Sequence, residues 1–257
     1  MPSYKYIYGP VNSWRLGRSL GIDPISSAVK VCTFDCVYCQ IGQAEPYCLK
    51  RKVFVRAEEI MEELKSLPEV EIDYITFSGT GEPTLAKNLA SIIKEIKSLR
   101  KEKIAVLTNS TLLDRKDVQK ALINADLVEA KLDASSEGML EAINRPDKRL
   151  NLKKIIEGIK EFRKKYKGKF TLQIMFTKDN IARAERLARI AKSINPDEVH
   201  INTPLRPSGA KPISEAEMKE VKRYFKGLKV LSVYDAKSSK KTKPISRKET
   251  LRRRGKY

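Results

Sequence analysis

The chain has 257 residues, of which 41% are hydrophobic and 33% are charged. A chain of this composition can bury a core under a charged surface, which excludes a disordered protein, a collagen-like repeat and a disulfide-stapled miniprotein. No apolar run approaches the length of a membrane span, and the first residues lack the pattern of a secretory signal. We therefore expect a soluble, cytoplasmic protein without a membrane partner.

The net charge is strongly positive, because 52 Lys and Arg residues face 32 Asp and Glu residues and leave a formal charge of +20. Residues 237–257 hold ten basic side chains and one acidic side chain, so this segment carries +9 of the total. A surplus of this size attracts polyanions, with nucleic acid as the first class of partner. The alternative is a charged surface that only keeps the protein soluble and ends in a flexible tail.

The first half of the chain alternates between short apolar runs and helical patterns. The apolar residues 28–31 predict a first strand, and a short helix follows around Ile60, Met61 and Leu64. Residues 72–77 predict the next strand, and apolar residues at spacings of three and four predict a helix over 85–99. A strand at 103–108, a helix at 114–123 and a strand at 127–133 continue the alternation.

The second half repeats the same alternation. Helical periodicity predicts helices at 152–162 and 181–194, and β-rich runs predict strands at 171–177, 197–202 and 229–235. Ser214 and Glu217 form a capping box that opens a helix at 214–225. Alternating strands and helices are typical of a parallel sheet with right-handed crossovers, so we predict an α/β fold, a partial (β/α)6 barrel. The predicted organisation is one domain over 1–236, followed by a basic tail over 237–257.

Three of the four cysteines are closely spaced. Cys32, Cys36 and Cys39 lie within eight residues, and Cys48 follows nine residues later. Thiolates are soft ligands, suited to zinc or to iron–sulfur clusters. Zinc would need a fourth ligand such as Cys48, whereas three ligands on a four-iron cluster leave one iron open for chemistry. The lone histidine, His200, lies far along the chain within a predicted strand, and we interpret it as a sheet residue.

A family resemblance follows from these cysteines together with a second motif. The spacing Cys-x3-Cys-x-Tyr-Cys resembles the signature of the radical S-adenosylmethionine (SAM) superfamily, and SGTGEPTL at 78–85 resembles its glycine-rich SAM-binding segment. The first motif follows the first predicted strand and the second follows the next one, which is the order found in the superfamily. The resemblance covers about residues 5–235 and implies a partial barrel that carries an iron–sulfur enzyme.

The resemblance also implies roles for particular residues. The three thiolates of Cys32, Cys36 and Cys39 would hold a [4Fe–4S] cluster, whose open iron binds SAM. The implied SAM contacts are Tyr38 and Asn202 at the adenine, the backbone of Gly79, Thr80 and Gly81 with the side chain of Glu82 at the methionyl ammonium, and Thr108 with Asn109 at the ribose. Two polar residues at the end of the fourth predicted strand, Lys131 and Asp133, are candidate catalytic residues. A carboxylate and a close backbone approach at glycines suit a cationic amino group.

The chemistry implied by the superfamily is reductive. A reduced cluster would cleave SAM to methionine and a 5′-deoxyadenosyl radical, which abstracts hydrogen from a substrate. The sequence shows no flavodoxin-like segment and no additional cysteine group. We therefore expect an external electron donor such as ferredoxin or flavodoxin.

A narrower resemblance comes from the N-terminal segment. Residues 8–25, with DCVYCQIG and GTGEPTL, resemble archaeal and bacterial proteins related to the tRNA wyosine-synthesis enzyme, 4-demethylwyosine synthase. That enzyme carries a second cluster, whereas residues 1–31 of this chain contain no cysteine, so its pyruvate-dependent reaction is not expected here. Lys131 could in principle form a Schiff base. Cys48 is interpreted first as a small buried residue, with a reactive thiol or a transient ligand as alternatives.

Three basic or polar residues of the same segment have two open interpretations. Arg15, Arg18 and Ser19 would lie beside the cluster loop, where they either contact an anion such as the SAM carboxylate or form salt bridges at the barrel mouth. Basic residues elsewhere could track a phosphate backbone, namely Lys50, Arg51 and Lys52 beside the cluster loop and Lys240, Lys241, Lys243, Arg247, Lys248, Arg252, Arg253 and Arg254 in the tail.

The leading hypothesis is a radical SAM enzyme that modifies RNA, with a tRNA base as substrate. One alternative is an activase that generates a glycyl radical on a partner protein, and another is a zinc-stabilised nucleic-acid-binding module. Deletion of 237–257 is expected to weaken RNA binding and to leave SAM cleavage without RNA unchanged.

Overall fold

The computed structural model describes residues 4–44, 46–236 and 242–254. Eight strands within these residues form one sheet, in which the order of the strands follows the chain. The first two strands pair antiparallel, and every later neighbour pairs parallel. The strands are Ile7–Ser13 (β1), Gly17–Ile22 (β2), Tyr74–Phe77 (β3), Lys103–Thr108 (β4), Leu127–Lys131 (β5), Lys169–Met175 (β6), Glu198–Asn202 (β7) and Val230–Ser232 (β8).

Helices lie between the successive parallel strands and close the core over the sheet, and a last helix follows the final strand. They are Ala57–Lys65 (α1), Leu89–Leu99 (α2), Lys116–Leu122 (α3), Glu137–Asn144 (α4), Leu152–Lys165 (α5), Ala184–Ile194 (α6), Glu215–Tyr224 (α7) and Arg247–Arg254 (α8). Fully buried residues such as Ile75 and Val128 of the strands pack in one cluster with Ile92 and Ile159 of the helices. The sheet is curled into a half-barrel, which confirms the predicted fold class. In the ranges described, no helix has the length and apolarity to cross a membrane.

The prediction of a first strand at residues 28–31 is wrong. Residues 28–31 lie in a loop, where Val29 is 61% exposed and Val31 forms an isolated parallel bridge with Gly81. The position beside β3 is occupied instead by β2, in which Ser19 pairs with Tyr74. The cysteine loop therefore begins several residues after the end of β2, and not directly at the end of a strand.

Most other predicted elements are confirmed, with small shifts at their ends. Strand β4 has the predicted limits, and Ser214 and Glu217 form the expected capping box of α7. The helix predicted over 181–194 begins as a 3-10 turn and becomes α-helical at Ala184. Helix α4 was not predicted, because it is short and its buried apolar side chains, Leu140 and Ile143, give too little helical periodicity to recognise in the sequence.

The end of the chain folds onto the start. Helix α8 packs against β1, where the Gly9 amide donates to Thr250 Oγ1 at 3.0 Å and the Ile245 amide donates to the Gly9 carbonyl at 2.6 Å. The Arg253 side chain is fully buried, so the prediction that this residue tracks a phosphate backbone is wrong. Lys240 and Lys241 lie outside the described residues.

Candidate functional site

The cysteine loop is attached to the glycine-rich segment by backbone hydrogen bonds. The Val31 amide donates to the Thr80 carbonyl at 3.0 Å, and the Glu82 amide donates to the Val31 carbonyl at 3.0 Å. Within the loop, the Cys39 amide donates to the Cys36 carbonyl at 2.9 Å, which closes a tight turn between the last two cysteines. The two motifs singled out in the sequence therefore meet where Val31, just before the first cysteine, bonds to Thr80 and Glu82.

Two glycines permit this meeting. A Cβ atom on Gly81 would lie 1.8 Å from the Val31 carbonyl oxygen, and one on Gly79 would lie 2.3 Å from Cγ of Asp23. Gly79 also has a φ of +137°, a conformation that side chains strongly disfavour. Glycine is thus required at both positions, because Val31 approaches Gly81 and Asp23 approaches Gly79 more closely than a side chain would permit.

A buried lysine faces the cysteine loop. Lys30 is 5% exposed, and its Nζ atom lies 3.0 Å from Oδ1 of Asp35. Burial lowers the pKa of Lys30, but the nearby cysteines and Asp35 outweigh burial and raise the pKa above its usual value. A permanent positive charge at this place offsets the negative charge of thiolate ligands.

Two asparagine amides contact the sulfur atoms. Asn109 Nδ2 lies 3.4 Å from Cys32 Sγ, and Asn144 Nδ2 lies 3.4 Å from Cys36 Sγ. Hydrogen bonds to cluster sulfurs are one of the means by which proteins set the reduction potential of iron–sulfur centres. Asn109 was predicted as a ribose contact, and Asn144 was not predicted because no motif surrounds it.

The donor set fits a [4Fe–4S] cluster with three protein ligands. Burial raises the pKa of Cys32 to about 12 and that of Cys36 to about 11, so the metal-free thiols hold their protons, which binding of a cationic cluster would displace. In the described residues no group of three or more His, Cys, Asp or Glu side chains is arranged to hold a single metal ion. A four-iron cluster binds each thiolate at a different iron, so its fit rests on the three thiols of one loop, their amide donors and Lys30. Cys48 lies beside this loop, since its amide donates to the Cys32 carbonyl at 3.0 Å.

A cavity of about 380 Å³ opens beside the cysteines and brings together much of the predicted site. The predicted residues that line it are Cys32, Cys39, Tyr38, Gly79, Gly81, Lys131 and Asn202. The lining does not include Cys36, Thr80, Glu82, Thr108, Asn109 or Asp133. The volume is within the usual range for a site that binds a small molecule.

Glu82 has a different environment from the one the resemblance implies. The carboxylate is buried and accepts hydrogen bonds from Thr84 Oγ1 and Thr108 Oγ1, both at 2.7 Å, and from the Asn109 amide at 2.7 Å. Burial raises the pKa of Glu82, and these donors oppose the rise. The structure gives this side chain a role in joining the glycine-rich segment to the end of β4, while its contact with the methionyl ammonium stays a prediction.

The predicted catalytic pair lies around Tyr38. The Tyr38 hydroxyl donates to Asp133, and Asn144 Nδ2 donates to Asp133 Oδ2 at 2.8 Å. Lys131 Nζ lies 3.7 Å from the same carboxylate and 4.7 Å from the centre of the Tyr38 ring. Asp133 is buried and also accepts from the Met175 amide, so it positions Tyr38, whereas Lys131 reaches the cavity.

The structure shows the contacts of Arg15, Arg18 and Ser19, for which the sequence left two interpretations open. Arg15 forms an ion pair with buried Glu129 and also lines the cavity. Arg18 bonds to Asp73 with its Nε atom at 2.9 Å, away from the cavity, as the salt-bridge alternative requires. Ser19 lines the cavity and shares a hydrogen bond of 2.7 Å with Thr76.

His200 is a sheet residue, as expected, yet it is part of a buried polar group. Its Nδ1 atom lies 2.5 Å from Oε2 of Glu129, and its ring lies edge-on to Trp14 with 5.6 Å between ring centres. No local sequence pattern indicates this group, because its members lie in the first hairpin and in two separate strands.

The comparisons with known proteins agree with this geometry. The model of the radical SAM superfamily matches residues 27–201. The UPF0026 protein of Synechocystis sp. is 43% identical over 206 residues, which cover 80% of this chain and 77% of that protein. The UPF0026 protein of Methanocaldococcus jannaschii is 38% identical over 240 residues, 89% of this chain and 70% of that protein. A probable GTP 3′,8-cyclase of Sulfurisphaera tokodaii is 29% identical over 187 residues, 73% of this chain and 57% of that protein.

Solved structures show the same fold at low sequence identity. Native anSMEcpe with bound AdoMet has a TM-score of 0.62 at 18% identity, covering 84% of this chain and 64% of that chain. Streptococcus suis SuiB bound to S-adenosylmethionine has a TM-score of 0.60 at 15% identity, covering 79% of this chain and 48% of that chain. With the matched model spanning both the cysteine loop and the glycine-rich segment, the chain belongs to the radical SAM superfamily and is an enzyme whose cofactors are a [4Fe–4S] cluster and S-adenosylmethionine.

Proposed function

We propose that this enzyme cleaves SAM reductively to a 5′-deoxyadenosyl radical and uses the radical to modify an RNA, with a tRNA base as the reacting group. The bound cluster supplies the electron and the open iron, with an external donor such as ferredoxin or flavodoxin as its source. The chain's own residues hold the cofactor, exclude water and select the substrate. The narrower likeness to the wyosine enzyme rests on sequence motifs alone.

The observation that carries the proposal is the charge of the cavity wall. The basic side chains that line the cavity are Arg15, Lys30, Lys131, Arg206, Arg253 and Arg254, and the described lining includes no Asp or Glu. SAM has a single carboxylate, so one cation is enough to bind its negative group. Four of these cations already pair with carboxylates behind the wall, namely Arg15, Lys30, Lys131 and Arg253. We assign the phosphate contact to the other two, Arg206 and Arg254.

A second cavity extends the first and offers a place for those phosphates. It measures about 260 Å³ and shares Arg206 and Arg254 with the main cavity. The two side chains belong to distant parts of the chain, yet Arg206 Nη1 donates to the Arg254 carbonyl. A guanidinium group binds phosphate oxygens with paired N–H donors, which suits both residues for a phosphate contact.

An aromatic residue lies in the same second cavity. Trp14 lines it, and the guanidinium carbon of Arg15 lies 5.3 Å from the centre of the Trp14 ring. Stacking on an aromatic ring binds nucleobases of any sequence. A ring beside two arginines therefore supports a ligand that has both a base and a phosphate.

The test measures tRNA binding and tRNA modification on the same protein. Arg206→Gln is expected to weaken binding of unmodified tRNA by about tenfold at 0.1 M salt, since a lost charge-assisted contact costs about 1.5–3 kcal/mol. Binding of SAM should stay unchanged. Arg223→Gln on α7 is the matched control, because Arg223 is 76% exposed and forms its ion pair with Glu220 of the same helix.

The chemical readout is the nucleoside composition of the tRNA. With a reductant, the wild-type protein is expected to form 5′-deoxyadenosine faster with tRNA than without it, and to change the mass of one nucleoside. Absence of tRNA binding together with an unchanged nucleoside pattern would contradict the proposal.

A free nucleotide is the second candidate substrate. It is favoured by the cationic cavity together with the relative of Sulfurisphaera tokodaii whose name is probable GTP 3′,8-cyclase. Incubation with GTP in place of tRNA separates the two candidates, because only the nucleotide substrate would raise 5′-deoxyadenosine formation in the absence of RNA.

A further inference from the structure

The glycine-rich segment is held from behind by a buried carboxylate. Asp23 Oδ2 accepts from the Thr80 amide at 3.1 Å and from the Thr80 hydroxyl at 3.0 Å. Its other oxygen, Oδ1, accepts from the amides of Ile25 and Ser26 at 3.1 and 2.9 Å. Asp23 thus joins the end of the first hairpin to the segment that faces the cavity.

The charge of Asp23 is balanced by a residue from the far end of the chain. Arg253 Nε donates to Asp23 Oδ2 at 2.8 Å, and the two side chains are 0% and 1% exposed. The Arg253 guanidinium also donates to Glu249, to the Lys5 carbonyl and to Ser26 Oγ. An ion pair this deeply buried depends on both partners, because either charge alone would remain without compensation.

Arg253 reaches the same segment by a second route. Its guanidinium carbon lies 5.6 Å from the centre of the Tyr8 ring, and the Tyr8 hydroxyl shares a hydrogen bond of 2.5 Å with Ser78 Oγ. Ser78 and Thr80 flank Gly79, the residue with the positive φ that lines the cavity. The two routes therefore meet on either side of the glycine.

We propose that Arg253 is a positioning residue for SAM, and that helix α8 is part of the cofactor site. Arg253 acts through Asp23 on Thr80 and through Tyr8 on Ser78, which keeps the backbone of Gly79 in the conformation that receives the cofactor. The inference concerns SAM binding without any substrate, so it stands or fails separately from the RNA proposal. Deletion of 237–257 removes Arg253 and is expected to weaken SAM binding, in contrast to the expectation from sequence.

The test uses the full-length protein with its cluster reconstituted anaerobically. Arg253→Gln removes the charge, Thr80→Val removes the hydroxyl that bonds to Asp23, and a third protein carries both changes. The dissociation constant of SAM and the number of SAM molecules bound per cluster are measured by calorimetry. The paramagnetic resonance spectrum of the reduced cluster, with and without SAM, provides an independent signature. Arg223→Gln is again the matched Arg-to-Gln control, since its ion pair is at the surface.

The proposal predicts that the affinity for SAM changes while the number of SAM molecules bound per cluster stays the same. Arg253→Gln should raise the dissociation constant of SAM about tenfold, the scale on which loss of an orienting partner weakens a bound group, and reduce the spectral response to SAM. The double change should be no worse than Arg253→Gln alone, because both act through one network. Arg253→Lys should restore part of the affinity by restoring the charge.

Two results would overturn the proposal. One is an unchanged dissociation constant in Arg253→Gln with fewer binding-competent molecules, which is what a purely structural role produces. The other applies if Arg253→Gln does not fold: Thr80→Val, which leaves the ion pair intact, would then bind SAM with unchanged affinity and an unchanged spectrum.

Discussion

Gly81 lies where two segments of the chain come closer than any side chain permits. Its backbone pairs with Val31 at the start of the cysteine loop, and a Cβ atom would overlap the Val31 carbonyl oxygen. Gly138, in contrast, lies in α4, and a Cβ atom there would meet open space outside the helix's own backbone. The same residue type is therefore essential at one position and replaceable at the other.

Gly81→Ala is expected to lower the free energy of unfolding by at least about 2 kcal/mol, because the overlap must be relieved by moving the cysteine loop. Gly138→Ala is expected to raise it by about 0.5–1 kcal/mol, since alanine favours the helix and restricts the unfolded chain. Urea denaturation of both variants measures the difference. Equal stability of the two would show that the bridge between Val31 and Gly81 does not form.

At the scale of elements, a buried charge group ties the first hairpin to the middle of the sheet. Glu129 of β5 bonds to Arg15 in the β1–β2 turn and to His200 of β7. Burial by itself would raise the pKa of Glu129, but Arg15 and His200 outweigh it and lower the pKa to about 2. The carboxylate stays ionised, and its charge holds the hairpin turn against the cavity.

This group predicts a pH dependence of stability. Because the folded pKa of Glu129 lies below the ordinary value of 4.5, its contribution is fully present above about pH 4.5 and is lost as the pH falls towards 2. A shift of this size corresponds to about 3 kcal/mol. The difference in unfolding free energy between the wild type and Glu129→Gln should therefore shrink by about that amount from pH 6 to pH 2.

Urea denaturation of the cluster-free chain across this range measures the change. Glu71→Gln is the control, because the Glu71 side chain is 81% exposed in its pair with Arg18. An exposed pair contributes little to stability, so the control should follow the wild type at every pH. A constant difference between Glu129→Gln and the wild type would contradict the assignment of a lowered pKa.

At the scale of the whole molecule, positive charge is present both on the surface and in the cavity wall. The chain carries +20 overall, and the described cavity lining is basic without an acid. Counterion release then makes RNA binding depend on salt. For four phosphate contacts on a single strand, the affinity should fall about 50-fold between 50 and 200 mM salt.

Binding of tRNA measured over this salt range gives the slope directly. Arg206→Gln should lower the slope by about 0.7, one single-strand phosphate contact, while Arg223→Gln should leave it unchanged. A slope near zero would show that the positive charge serves solubility and would remove the electrostatic argument for RNA.

Helices and strands whose signal is local were predictable from sequence. The apolar run of β4, the apolar stripe of α6 and the capping box of α7 depend on neighbours within a few residues, so a short stretch of sequence reveals each of them. The first strand was predicted in the wrong place because β2 is defined by pairing with β1 and β3, and residues 28–31 have a similar apolar composition without such partners.

The sequence by itself determined the superfamily, and it predicts three cysteines as cluster ligands and a glycine-rich segment for SAM, because cluster binding and close backbone approach demand particular residues at short, fixed spacings. Only the tertiary structure decided which side chains surround them. Asn144 reaches Cys36, and Arg253 reaches Asp23 from the opposite end of the chain. Such partners are joined by folding across long stretches of chain, where many spacings satisfy the same contact, so no local pattern marks them. For that reason a segment that reads as a basic tail contains a helix that supports the cofactor site.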